Sequence, residues 1–148
     1  MRKLTIKDKE WIEKIARVHE YYLEQREINY HATRMSMALR QEMILRRLSY
    51  SEDVILIEDD GLSQLIAFIW GHYNRDFETV IIEMLYTDPY FRGKGYAKQL
   101  KSSIEQWAVK QGALSIEGTI DAHHTHLIEM NQVRGYEVSH VKMGKDLR

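Results

Sequence analysis

Residues 77–100, FETVIIEMLYTDPYFRGKGYAKQL, pass from an apolar β-type segment through the chain's only proline into two glycines spaced G-x-G, and then into a helical pattern. A glycine-rich turn that opens a helix gathers backbone N–H groups and the positive end of the helix dipole at one point, which suits phosphate. Unrelated folds use this device, so spacing has to choose among them. A P-loop needs G-x-x-x-x-G-K-[ST], but here Gly95 is followed by Tyr96 and Ala97. A dinucleotide fingerprint needs a third glycine where Lys98 stands, and a strand at the chain start rather than helices.

The surrounding pattern narrows the fold class. After a short strand over residues 3–6, residues 9–28 place Trp11, Ile12, Ile15, Val18 and Tyr22 at three- and four-residue steps, the face of an amphipathic helix. A second helix over residues 33–48 puts Met35, Leu39, Met43 and Leu48 inside, with Arg34, Arg40, Arg46 and Arg47 mostly outside. DVILIE and LSQLIAFIWGHYN then read as an antiparallel hairpin turning at Asp60-Gly61, and FETVIIEMLYTD as a long third strand. From Gly95 a helix carries Ala97, Leu100, Ile104, Trp107 and Ala108 on one face and stops at Gly112. ALSIEGTI is a further strand, residues 124–134 a weaker helix, and YEVSHVKMGKDL a last strand. Strands mixed with helices in this order exclude a bundle or a sandwich and leave an α+β architecture.

Length and composition set outer limits. At 148 residues with 44% hydrophobic content the chain fits one domain over residues 1–148 with a real core. Its 21 basic and 22 acidic residues balance, so nothing calls for the phosphate tracking of a nucleic-acid binder. The absence of cysteine excludes disulfides, thiolate metal sites and a thiol nucleophile, and fits a cytoplasmic setting. No stretch reaches the roughly 18 apolar residues of a membrane span, and the basic start lacks an apolar segment behind it. DAHHTH holds three histidines but not the H-E-x-x-H spacing, so no metal is expected. The oligomeric state stays open, with a homodimer among the options.

A third template, R-x-x-G-x-A, is filled by Arg92, Gly93, Lys94, Gly95, Tyr96 and Ala97, after a long strand ending LYTDP. Here the sequence resembles the GNAT superfamily of acyl-CoA-dependent N-acyltransferases, in which strand, proline, loop and helix occur in this register. KQGALSIE resembles the family's next helix-to-strand passage, and MNQVRGYEV stands where the family carries a segment like L-Y-E-K-L-G-F. The match is strong over about residues 79–118 and in outline only over residues 1–50. The resemblance implies a mostly antiparallel mixed sheet of six or seven strands flanked by about four helices, with acetyl-CoA as co-substrate. The loop also suits coenzyme A on physical grounds: Gly93 and Gly95 permit converging N–H groups, and Arg92, Lys94 and Lys98 add charge.

The resemblance further implies that Leu85, Tyr86 and Thr87 bind pantetheine through main-chain groups at a bulged strand that splays from its neighbour. One N–H there serves as oxyanion donor, worth about 3 kcal/mol in the transition state. Direct attack by an amine requires deprotonation of an ammonium, which costs roughly 4 to 5 kcal/mol at neutral pH. Glu83, a carboxylate in an apolar strand two residues before Leu85 and so on the same pleat face, is the first candidate base. An ion-paired or edge glutamate is the competing reading, and Glu117 and a water chain are further candidates. Asn131 falls where the family's thiolate-protonating tyrosine stands; an amide cannot supply that proton but can bond the thiol or the pantetheine arm. Tyr21, Tyr22 and Tyr30 lie in the segment that, by resemblance, walls the acceptor site, while Tyr136 reads as core. The implied activity is acetyl transfer to a primary amine of a small molecule or peptide. A non-catalytic acyl-CoA sensor on the same fold is the alternative that Asn131 favours.

Overall fold

The computed structural model describes residues 1–148 as two compact units, Met1–Ile116 and Glu117–Arg148. In chain order the elements are β1 (Arg2–Lys3), α1 (Lys9–Arg26), α2 (Arg34–Tyr50), β2 (Asp53–Asp59), β3 (Leu65–Asn74), β4 (Thr79–Thr87), α3 (Tyr96–Gln111), β5 (Ser115–Gly118) and α4 (Thr125–Val133). A single 3₁₀ turn, Pro89–Phe91, lies between β4 and α3. The five strands form one sheet in the order β1-β2-β3-β4-β5, antiparallel from β1 through β4.

The local chemistry explains each boundary. In α1, Trp11, Ile12 and Ile15 are buried as their spacing predicts, each contributing about 1.5–3 kcal/mol of hydrophobic stabilisation, and Ala16 joins them, whereas Tyr22, expected on the same stripe, is exposed. A reciprocal Thr33 and Ser36 capping box opens α2. Its buried stripe differs from the expected one: Met35 and Leu39 are 68% and 61% exposed, and Ile44 is the buried residue, with Met37, Met43, Leu45 and Leu48 packed beside it. This rotation also carries Arg40 and Arg47 to half-buried positions, whereas Arg34 and Arg46 face solvent. In the β2–β3 turn, Asp60 accepts from the N–H groups of Leu62, Ser63 and Gln64, which hold its carboxyl below the usual range. That ladder consumes residues 62–64, so β3 starts at Leu65 rather than Leu62.

From Leu65 to Trp70 every β3 residue is buried, because both faces of the strand are covered. Phe68 and Trp70 join the cluster formed with α1 and α2, while Ala67 and Ile69 join Leu100 and Ile104 of α3. At Gly71 the strand and α3 come so close that an added Cβ would overlap Ile104 Cδ1. Between Trp70 and Gly71 the β3–β4 register shifts: Trp70 opposes Met84 and Gly71 opposes Ile82, so Glu83 is the extra residue of a β-bulge.

The second unit contains α4 and no buried residue. Residues 136–147, expected as a final strand, have no regular structure, and the sheet has five strands rather than six or seven. The apolar residues behind that expectation, Val138, Val141 and Met143, are 60%, 74% and 89% exposed. Alternation that covers no core gives a segment no reason to pair.

Candidate active site

Strand β4 turns backbone groups away from β3 at its C-terminal end. The Asp88 N–H donates to the Ile66 carbonyl at 2.8 Å, which makes Phe68 and Tyr86 the next hydrogen-bonded pair of the antiparallel ladder. The N–H and C=O groups of Leu85 and Thr87 therefore point away from β3. On that other side the Leu114 N–H donates to the Glu78 carbonyl at 2.7 Å, and the Ser115 and Thr79 hydroxyls meet at 2.7 Å. A four-residue strand that begins beside Thr79 stops short of Leu85.

Beyond β4 the chain turns into a cationic loop. Asp88 caps the 3₁₀ turn by accepting from the Tyr90 N–H at 2.9 Å. Gly93 and Gly95 then adopt φ of 77° and 86°, left-handed values that glycine reaches without strain. Gly95 is the N-cap of α3 and brings no side-chain acceptor, so the first N–H groups of the helix, at Tyr96, Ala97 and Lys98, have no partner from the cap. A Cβ placed on Gly93 or Gly95 would meet nothing within 4 Å. An open, N–H-lined cradle at a positive helix end, with Arg92, Lys94 and Lys98 exposed around it, suits a phosphate group. Tyr96 contributes backbone there, since its ring packs edge-on against Phe91 with centroids 6.5 Å apart. Arg92 also ties the loop to two other elements, donating through Nε to the Thr87 carbonyl and through Nη2 to the Tyr22 hydroxyl, each at 3.3 Å.

Both faces of β4 carry side chains. Leu85 packs toward α3, while Met84 and Tyr86 pack toward α1 and α2. Glu83 lies on the α2 side, where its Oε1 accepts from Arg47 Nη2 at 2.7 Å. The expectation that Glu83 shares the face of Leu85 is thus corrected, because the bulge breaks the two-residue alternation between them. Nor is Glu83 a buried lone carboxylate: it is ion-paired and its side chain is 31% exposed. Arg47 is anchored in turn by Asp53, whose fully buried carboxylate also accepts from Trp70 Nε1 at 2.6 Å and meets His72 Nδ1 at 2.7 Å. Burial alone would lower the pKa of the Arg47 guanidinium, but the bonds and charges of Glu83 and Asp53 outweigh it and raise it.

The tyrosines divide by role. Tyr86 packs edge-on to Tyr22 at 6.0 Å and tilted on Phe68 at 5.6 Å, and burial, reinforced by Asp88, pushes its phenol up to about 12. Tyr21 is exposed and stacks edge-on to Tyr22. Tyr30 donates to Glu20 Oε2 at 2.6 Å and so pins the α1–α2 connection onto α1. Of the remaining candidates, Glu117 is exposed on β5, and Asn131 lies in the second unit, where its amide donates to the Leu127 carbonyl at 2.8 Å.

Two clusters were not foreseen. Glu20 is 1% exposed on α1, with Oε1 unbonded and Oε2 at 3.9 Å from Arg40 Nη2. The neighbouring His19 is held below its usual pKa by burial and by Arg40. The available signal was a glutamate four residues beyond Ala16 on an apolar stripe. In the second unit the ligating atoms of Asp121, His123 and His124 lie within 4.8 Å of one another, all exposed. H-E-x-x-H spacing is not required for that proximity, which a tight turn closed by the His124 N–H and the Asp121 carbonyl produces.

Comparison with known proteins agrees with this geometry. A GNAT acetyltransferase family protein from Staphylococcus aureus subsp. aureus is 46% identical over 80% of this chain and 98% of its own, with a TM-score of 0.73. An acetyltransferase from Pyrococcus furiosus shares the fold at 19% identity over 99% of both chains, TM-score 0.73. So does an aminoglycoside acetyltransferase from an uncultured soil metagenomic sample, solved with sisomicin, at 12% identity over 99% of this chain and 95% of that one, TM-score 0.72. No curated protein matches the chain. Residues 14–136 match the model of the acetyltransferase (GNAT) family, and the chain belongs to that family.

Proposed function

We propose that the protein transfers the acetyl group of acetyl-CoA to a primary amine of a small molecule or peptide by direct attack in a ternary complex. The observation that carries this reading is the pairing of the Gly93–Gly95 cradle with the β4 end, whose Leu85 and Thr87 backbone groups turn away from β3. Acetyl-CoA supplies an activated acyl thioester. Arg92, Gly93, Lys94, Gly95, Tyr96, Ala97 and Lys98 hold its phosphates, the backbone of Leu85 and Thr87 holds the pantetheine arm, and the Leu85 N–H faces the developing oxyanion. The Tyr86 peptide groups, expected to share in this, are taken up by Phe68 in the ladder with β3. Glu83 takes the ammonium proton at Oε2, the oxygen that Arg47 leaves without a protein donor.

Purified protein with acetyl-CoA and a panel of amines is expected to release free thiol in an amine-dependent way, with coenzyme A binding seen by calorimetry. Glu83→Gln lowers turnover mainly at neutral pH, and an unchanged pH profile removes Glu83 as base. A second reading, an acyl-CoA sensor without turnover, is favoured by Asn131 at the tyrosine position. Binding without amine-stimulated thiol release supports the sensor, and no binding defeats both.

A further inference from the structure

Beyond Glu83 itself, the geometry points to Arg47 as a positioning residue for it, fixed by the buried carboxylate of Asp53. This inference rests on the reading of Glu83 as the base. Glu83 occupies the extra position of the bulge, where the ladder with β3 is interrupted and the backbone gives its side chain no preferred partner. A single side chain, Arg47, holds the carboxylate, and it holds one oxygen. Arg47 is itself a long side chain that would be expensive to order alone. Three features order it: Nε donates to Asp53 at 2.9 Å, the guanidinium lies 5.2 Å from the Trp70 ring centroid, and Asp53 is held by Trp70 and His72.

The result is a chain of contacts from β2 and β3 through α2 to the bulge of β4. Asp53 has 0% side-chain exposure, and a carboxylate stays charged there only because strong partners surround it. Here its position sets the guanidinium fork, and the fork sets where Glu83 Oε1 sits. Oε2 remains open toward an incoming ammonium. Arg47 needs no contact with substrate in this scheme; it acts through Glu83.

The test is a double-mutant cycle on the full chain, using the best amine from the panel. Arg47→Met is expected to lower kcat about tenfold while the KM for acetyl-CoA stays within about twofold, because the phosphate loop is untouched. Arg47→Lys, which keeps a cation, recovers part of the loss. Adding Arg47→Met to Glu83→Gln causes about no further loss, since residues acting as one unit are not additive. Fully additive losses, or a fall in acetyl-CoA affinity matching the fall in kcat, overturn the inference. If Glu83→Gln is impaired and Arg47→Met is not, the positioning role alone fails. If Glu83→Gln is as active as the parent, the base assignment fails, and the positioning role with it. Thermal melts and calorimetry with coenzyme A separate these outcomes from misfolding, and an Arg47→Met protein that loses coenzyme A binding counts against the inference.

Discussion

The edge of β4 and its α2-facing side are built from different materials. Along the strand edge turned away from β3 and in the loop beyond it, the site is backbone: the Leu85 and Thr87 peptide groups, two left-handed glycines and the first N–H groups of a helix. Toward α1 and α2 it is side chains drawn from four separate elements, Arg47, Asp53, Trp70 with His72, and Glu83. A backbone site tolerates most side-chain changes and is broken only where backbone angles are essential. A side-chain network fails at any member, because each buried partner left behind is unsatisfied.

The largest effect is expected on the side-chain network. Asp53→Leu strips Trp70, His72 and Arg47 of their shared acceptor and should cost about 3–5 kcal/mol of folding stability, read by urea unfolding. Coenzyme A affinity of the protein that remains folded should not change; a parallel fall would show that the two are not independent. In the backbone site, Gly95→Asp imposes strain of about 1–2 kcal/mol at φ 86° and sets a carboxylate against the phosphates, so affinity should drop roughly 100-fold or more. Calorimetry showing retained affinity would contradict the loop assignment.

Outside both, Gly71→Ala drives a Cβ into Ile104 and should destabilise by about 1–3 kcal/mol in thermal melts, with the loop otherwise intact. The smallest effect belongs to His19. Its folded pKa lies below 6.5, so its stabilising contribution is complete above pH 6.5 and is lost as the pH falls toward the folded value. His19→Leu should flatten that acid-side decline in unfolding titrations, and an unchanged slope would remove His19 as its source.

This contrast also explains what could be read from the chain. Gly93, Gly95 and Gly112 declare backbone angles locally, so the loop and both ends of α3 follow from consecutive residues. The bulge at Glu83 does not declare itself. VIIEMLY is apolar on both sides of the glutamate, and only the opposing register of Trp70 and Gly71 shows that alternation breaks there. Arg47 and Glu83 are 36 positions apart and on different element types, beyond the reach of periodicity. The reverse error occurs after Gly135, where alternation was present but burial was not. On α2, three- and four-residue steps were compatible with more than one stripe, and the sheet selected the one through Ile44.

Trp70 joins these observations in a way that lends itself to optics. Its indole is 2% exposed, hydrogen-bonded through Nε1 to Asp53, overlain by Arg47 and set edge-on to His19 with centroids 6.5 Å apart. With Trp11 and Trp107 replaced by phenylalanine, Trp70 becomes the sole tryptophan and its fluorescence a built-in gauge of its surroundings. Protonation of His19 at low pH should dim the emission, and any amine that draws Glu83 and Arg47 out of register should shift it. The acceptor could then be sought by titrating candidate amines in a cuvette, before any turnover is detected.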